Sequence, residues 1–156
     1  MNKNIVTETA DMLCKKAERD IMNVDTLLSS PKYPENLMYD IVCFHVTQAV
    51  EKFLKSYIIF NKKTVKKIHD LDMLHKIAME IDGSFLEIMD SCLSLNEYVK
   101  NIKYDDEIII SKQDISDIIK FMQKIIDFPP IKNIRESFSK KFQYEIVNEI
   151  KTCPAS

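Results

Sequence analysis

The chain predicts an all-α fold: an antiparallel up-and-down bundle of about five helices with a C-terminal helical extension. Three observations predict it. Only one glycine, Gly83, occurs in 156 residues, which disfavours tight β-turns and glycine-rich phosphate cradles, since both need positive φ. Apolar residues recur at helical spacing in segment after segment. The one strand-like run, Ile108-Ile109-Ile110, is too short and too isolated to build a sheet.

The first helix is predicted from about Asn4 to Ser29, with Ile5, Met12, Leu13, Ala17, Ile21, Val24, Leu27 and Leu28 on its apolar face and Pro31 and Pro34 closing it. The second runs from about Asn36 to Phe60. Val42, Val46, Ala49, Val50, Phe53, Leu54 and Tyr57 fall within one arc of ~140°. A lysine-rich connector, Lys62, Lys63, Lys66 and Lys67, leads to a third helix starting near His69, with Asp70 and Asp72 in its first turn. Gly83 fits the position after that helix, and Ser84-Phe85-Leu86-Glu87 reads as a capping box for a fourth. The fourth helix carries Leu86, Met89, Leu93, Leu95, Tyr98 and Val99 to about Lys103. After the acidic stretch Asp105-Asp106-Glu107, Ser111 can cap a fifth helix bearing Ile115, Ile118, Ile119, Met122 and Ile126, which Pro129-Pro130 terminates. A sixth is predicted over Ile134 to Lys151. Residues 1–128 thus form the bundle, and residues 129–156 an extension packed on it or on a second subunit.

Length and composition, 46% hydrophobic and 29% charged, suffice for one domain with its own core. A net charge of −2 supplies no global field toward nucleic acid, and Arg19 and Arg135 are the only arginines among 22 basic residues, so two-pronged guanidinium clamps are scarce. Cys14, Cys43, Cys92 and Cys153 have no zinc spacing, and the first three read as buried, reduced thiols of a cytoplasmic protein. The amino-terminal residues form no signal peptide and no apolar run is long enough to span a membrane. His45, His69 and His75 have no metal-ligand spacing; neither a metal nor a cofactor is expected. Met22, Met38, Met73, Met79, Met89 and Met122 are expected to fill core gaps.

The chemistry concentrates on the second helix. His45, Gln48 and Lys52 lie at i, i+3 and i+7 within ~60° of one face, and Lys55 extends that face. These side chains could tie helices together, line a dimer interface or contact a ligand's phosphates and base edges. His69 and Asp70 look like a dyad, but neighbours on a helix diverge by ~100°, so a capping or packing role competes with ligand or partner contact. The lysine connector is either a solvated loop or an anion patch. Cys43 has apolar neighbours and reads as a structural thiol.

The pattern Phe44-His45-x-x-Gln48-Ala49-x-Glu51-Lys52-x-x-Lys55, with His69-Asp70-Leu71-x-x-Leu74 downstream, resembles the HEPN (higher eukaryotes and prokaryotes nucleotide-binding) family over roughly Ile5 to Ile126. The resemblance implies a helical bundle, commonly homodimeric, acting beside a minimal nucleotidyltransferase and sometimes in a toxin–antitoxin pair. Many members are metal-independent endoribonucleases with an Arg followed by a His; neither Arg19 nor Arg135 has a histidine four to six residues on, and Lys103-Tyr104-Asp105 stands where the family often has Arg. The reading is therefore a binding protein for a nucleotide or for the substrate of a partner transferase, with no catalytic residue and with His45, Gln48, Lys52, Lys55, His69 and Lys103 as its ligand surface. An endoribonuclease toxin and a structural oligomerisation module are the alternatives.

Overall fold

The computed structural model describes residues 3–30, 35–65, 67–104 and 109–138, of which 3–8, 35–37 and 103–104 as backbone only. The described residues are helices joined by short connectors, with no strand among them. The helices are α1 (Lys3–Ser29), α2 (Glu35–Phe60), α3 (Leu71–Ile81), α4 (Met89–Tyr104), α5 (Lys112–Asp127) and α6 (residues 129–138), with a 3-10 turn at Gly83–Ile88. The all-α bundle expected from the periodicity is what the chain forms. The predicted helical segment past residue 138, Pro31, Pro34, Lys66, Ile108, the acidic stretch 105–107 and Cys153 lie outside the described residues.

The centre of the bundle is α2, which packs on α1, α3, α4 and α5. The expected apolar arc is buried in full, but Cys43, Thr47, Glu51, Ser56 and Ile58 are buried as well. The helix is thus covered on nearly every side, as a broadly apolar helix demands. It runs antiparallel to α1: the Ser56 hydroxyl donates to the Ala10 carbonyl at one end, while His45 reaches Asp20 toward the other. The buried stripe of α1 is made of small residues, Ala10, Cys14 and Ala17, with Val24 at its end. Met12 and Leu28, expected on the core face, are exposed; small residues let α1 approach α2 closely, and the bulky ones turn outward.

Several local readings need correction. Asp70 does not sit in the first turn of α3 but caps it, its carboxylate accepting from the Met73 N–H at 3.0 Å. Gly83 has no positive φ, and Ser84 caps nothing: Asp82 ends α3 and accepts from the Ser84 N–H at 2.9 Å, opening the 3-10 turn. The core takes Phe85, Ile88, Cys92 and Leu95, which share one helical face, while Leu86 and Leu93, expected in the core, lie on a different face and point outward. Met22 and Met73 are likewise exposed; Met38 and Met122 are the buried methionines among the described residues. Ser111 does cap α5, in a reciprocal box with Asp114. Pro129-Pro130 ends α5 but also opens α6, because proline suits a first helical turn whose N–H groups have no partner.

The described part of α6 places Ile131, Ile134 and Phe138 in the same core cluster as the bundle. Arg135 fixes it further. Its Nε and Nη2 donate to the two carboxylate oxygens of Glu18 on α1 at 2.7 and 3.1 Å, and its guanidinium lies 5.3 Å from the Phe53 ring centre. Paired, stacked and half-buried, this arginine is spent on packing.

The lysine connector starts with a tight helix end. The Lys62 and Lys63 N–H groups donate back to the Ile59 and Ile58 carbonyls, with Lys62 at φ 65°. That backbone pattern normally recruits glycine; here a lysine side chain stays in water instead. Lys63 pairs at 3.7 Å with Glu80 of α3.

Candidate functional site

The polar stripe of α2 divides into two clusters, each built around a buried carboxylate. In the first, Asp20 of α1 accepts from His45 Nδ1–H at 2.8 Å and from the Lys52 ammonium in a short contact. In the second, Glu51 of α2 accepts from Lys55 at 2.7 Å and from His69 Nδ1–H at 2.9 Å, both on Oε1. A carboxylate that can only accept requires an imidazole proton on Nδ1, and Nε2 of His69 is left for another partner.

His69 immediately precedes α3, and the start of that helix is pinned to α4. Asn96 Oδ1 accepts from the Leu71 N–H at 3.2 Å, and Lys100 pairs with Asp70 at 3.2 Å. Partial burial alone would raise the Asp70 carboxyl. The hydrogen bonds from Met73, Asn96 and Lys100, with the Lys100 charge, outweigh it and hold the group below its ordinary value. Asp70 is thus a cap and an anchor. It and His69 turn to different partners and form no dyad.

Between α2, α4 and the start of α3 lies a groove of about 150 Å³, a volume in the range that holds one benzene-sized ring. Its walls include Cys43, Phe44, Leu71, Val99 and Ile102, and its polar lining is Asp40, Thr47, Gln48, Glu51, His69 and Asn96. Thr47 is satisfied locally, its hydroxyl donating to the Cys43 and Phe44 carbonyls. The Gln48 side chain makes no hydrogen bond among the described residues, so its amide presents two donors and an acceptor to the groove. The Cys43 thiol is pushed up to about 12 by burial first, then by the negative charges of Asp40 and Asp114; it lines the groove as an inert wall.

The five candidates whose side chains are described therefore do not form one surface. Gln48 and His69 meet in the groove; His45 and Lys52 turn to Asp20 on α1; Lys55 backs Glu51. Lys103 lies in the last turn of α4, and its side chain is outside the described residues. Three groups that organise this site, Asp20, Glu51 and Asn96, were missed. Glu51 stands inside the α2 motif, four residues before Lys55, which is an ion-pair spacing. Nothing local in the sequence ties Asp20 or Asn96 to it. Among the described residues no group of three or more His, Cys, Asp or Glu side chains could hold a metal ion, and no helix is long and apolar enough to cross a membrane.

Fold and site together define an all-helical bundle whose polar chemistry is concentrated on one central, largely buried helix. A profile of the HEPN domain matches residues 10–134, and the chain belongs to the HEPN domain family. Membership points to a nucleotide- or RNA-related function. Comparisons with curated proteins and with solved structures give no match.

Proposed function

We propose that this protein binds a nucleotide, or the nucleotide-bearing substrate of a nucleotidyltransferase supplied in trans, in the groove between α2, α3 and α4. The observation that carries the reading is the convergence of the uncommitted Gln48 amide and the Glu51-held His69 imidazole on one small cavity. Hydrogen-bonding groups left open beside apolar walls are what a small-molecule site requires. In the same reading the protein acts in the cytoplasm as a homodimer, paired with its transferase in a toxin–antitoxin arrangement. The buried, unpaired thiols Cys14, Cys43 and Cys92 suit a reducing compartment.

Thermal melting of the purified protein with ATP tests the binding. A ligand at about 100 times its Kd adds about 2.7 kcal/mol to the folded state, so the melting temperature should rise, and Gln48→Leu and His69→Ala should abolish the rise. No shift with any nucleotide removes the proposal. Degradation of RNA in the presence of chelator, lost in His69→Ala, would replace it with a ribonuclease.

A further inference from the structure

We infer that the groove is a site for the base end of its ligand, a flat uncharged ring carrying an exocyclic amine, and that phosphate groups stay outside it. The inference rests on the binding reading above and specifies which part of the ligand enters.

Charge excludes phosphate. The acidic groups facing the groove are Asp40 and Glu51. Glu51 is matched by Lys55 and His69, whereas Asp40 is exposed at the rim with no ion pair among the described residues. No lysine or arginine is among the described lining residues. Lys52 is drawn to the α1 side by Asp20, and Lys100 is turned to Asp70. The start of α3, which could otherwise attract an anion, already holds the Asp70 carboxylate. Among the described residues a phosphate would thus meet carboxylates and no free lysine or arginine.

Size and chemistry favour a ring. About 150 Å³ accommodates one ring system and not a ribose triphosphate. Phe44, 55% exposed, and the side chains of Val99 and Ile102 supply apolar surface for a ring face. Gln48 can pair with a ring edge that carries both a donor and an acceptor. Asp40 accepts and cannot donate, which favours an amino group over a carbonyl at the mouth.

The test is a calorimetric titration of the full chain with adenosine, cytidine, uridine, AMP, ATP and inorganic pyrophosphate at fixed ionic strength. Adenosine or cytidine should bind as tightly as AMP and ATP, uridine more weakly, and pyrophosphate not at all. Gln48→Leu should weaken the nucleoside about tenfold or more, the loss expected of a hydrogen-bonding pair. Asp40→Lys, at an exposed position that leaves the core intact, should shift preference toward the phosphorylated compounds. Binding of ATP and pyrophosphate but not of nucleosides would overturn the base-end assignment while leaving nucleotide binding standing. Nucleoside binding that both variants leave unchanged would also overturn it, by placing the site elsewhere. Binding by none of these compounds would sink both.

Discussion

Asp20 and Glu51 each hold one imidazole and one lysine, with nearly the same distances to the histidine, 2.8 and 2.9 Å. What surrounds the pairs differs. Asp20 is on α1 and takes both partners from α2, so its cluster crosses a helix interface; the His45 side chain is 21% exposed. Glu51 and Lys55 share α2, and the cluster reaches outward to a loop residue, His69, whose side chain is 73% exposed. Identical groups therefore do different work. Where a carboxylate joins two helices away from water, removing it strands its partners. Where it holds an accessible ring at the rim of a cavity, it sets the orientation of a group that something else can touch.

The largest effect should come from Asp20. Asp20→Ala leaves His45 without its hydrogen-bond acceptor and Lys52 without its counter-charge, both largely buried, and should cost about 2–3 kcal/mol, below the full penalty of a completely buried pair because each partner keeps some water. Denaturant unfolding would show it, while nucleotide affinity of the folded protein should be unchanged. Asp70 comes next. Asp70→Ala removes an N-cap and should cost about 1 kcal/mol. Its carboxyl is held below its ordinary value in the folded state, so the folded protein takes up that proton at lower pH than the unfolded chain does. Its contribution is present above the unfolded carboxylate range, about pH 4, and is lost as pH falls through the lower folded value. The variant should therefore show a shallower acid branch in its stability–pH curve.

His69→Ala should cost less than about 1 kcal/mol, since an exposed pair contributes little to stability, yet it should weaken ligand binding. A destabilisation equal to that of Asp20→Ala would break the distinction between the two clusters. The smallest effect belongs to the thiols of α1, α2 and α4. Cys14 and Cys43 are both raised to about 12, by burial first and by neighbouring carboxylates second, with Arg135 partly offsetting at Cys14. Cys92 is raised to about 12 by burial and, less, by Asp72. All three should resist iodoacetamide at pH 8 until the protein is unfolded, as read by peptide mass spectrometry. Labelling of Cys43 in the native protein would mean that the groove opens more than its walls imply.

The helical architecture and the polar stripe of α2 were legible because both are local: apolar period in one case, residue identity at fixed spacing in the other. The division of the stripe was not. His45 turns to α1 because Ala10, Cys14 and Ala17 set how α1 lies on α2, and Asp20 reaches it across 25 residues. Gln48, one turn away, faces α4 instead. The buried face of α4 was misread although it is local: Phe85, Ile88, Cys92 and Leu95 recur at helical spacing, but Leu86 and Leu93 offer a competing apolar face, and only packing decides between them. His69 was singled out from sequence, but its partner is Glu51 and not the adjacent Asp70, because a loop residue is aimed by the tertiary structure around it.

The contact between Arg135 and Glu18 joins residues 117 apart. A ribosome adding about 5–20 residues per second needs roughly 6–23 s to bridge that interval, whereas helices form within about a microsecond. The α1–α2 pair can therefore exist on the nascent chain for seconds before α6 is made. During that time the Phe53 ring and the Glu18 carboxylate await the arginine that covers one and neutralises the other. The newborn hairpin consequently offers an apolar stripe to chaperones, and a stall in translation between α5 and α6 would prolong that exposure at the most central helix of the molecule.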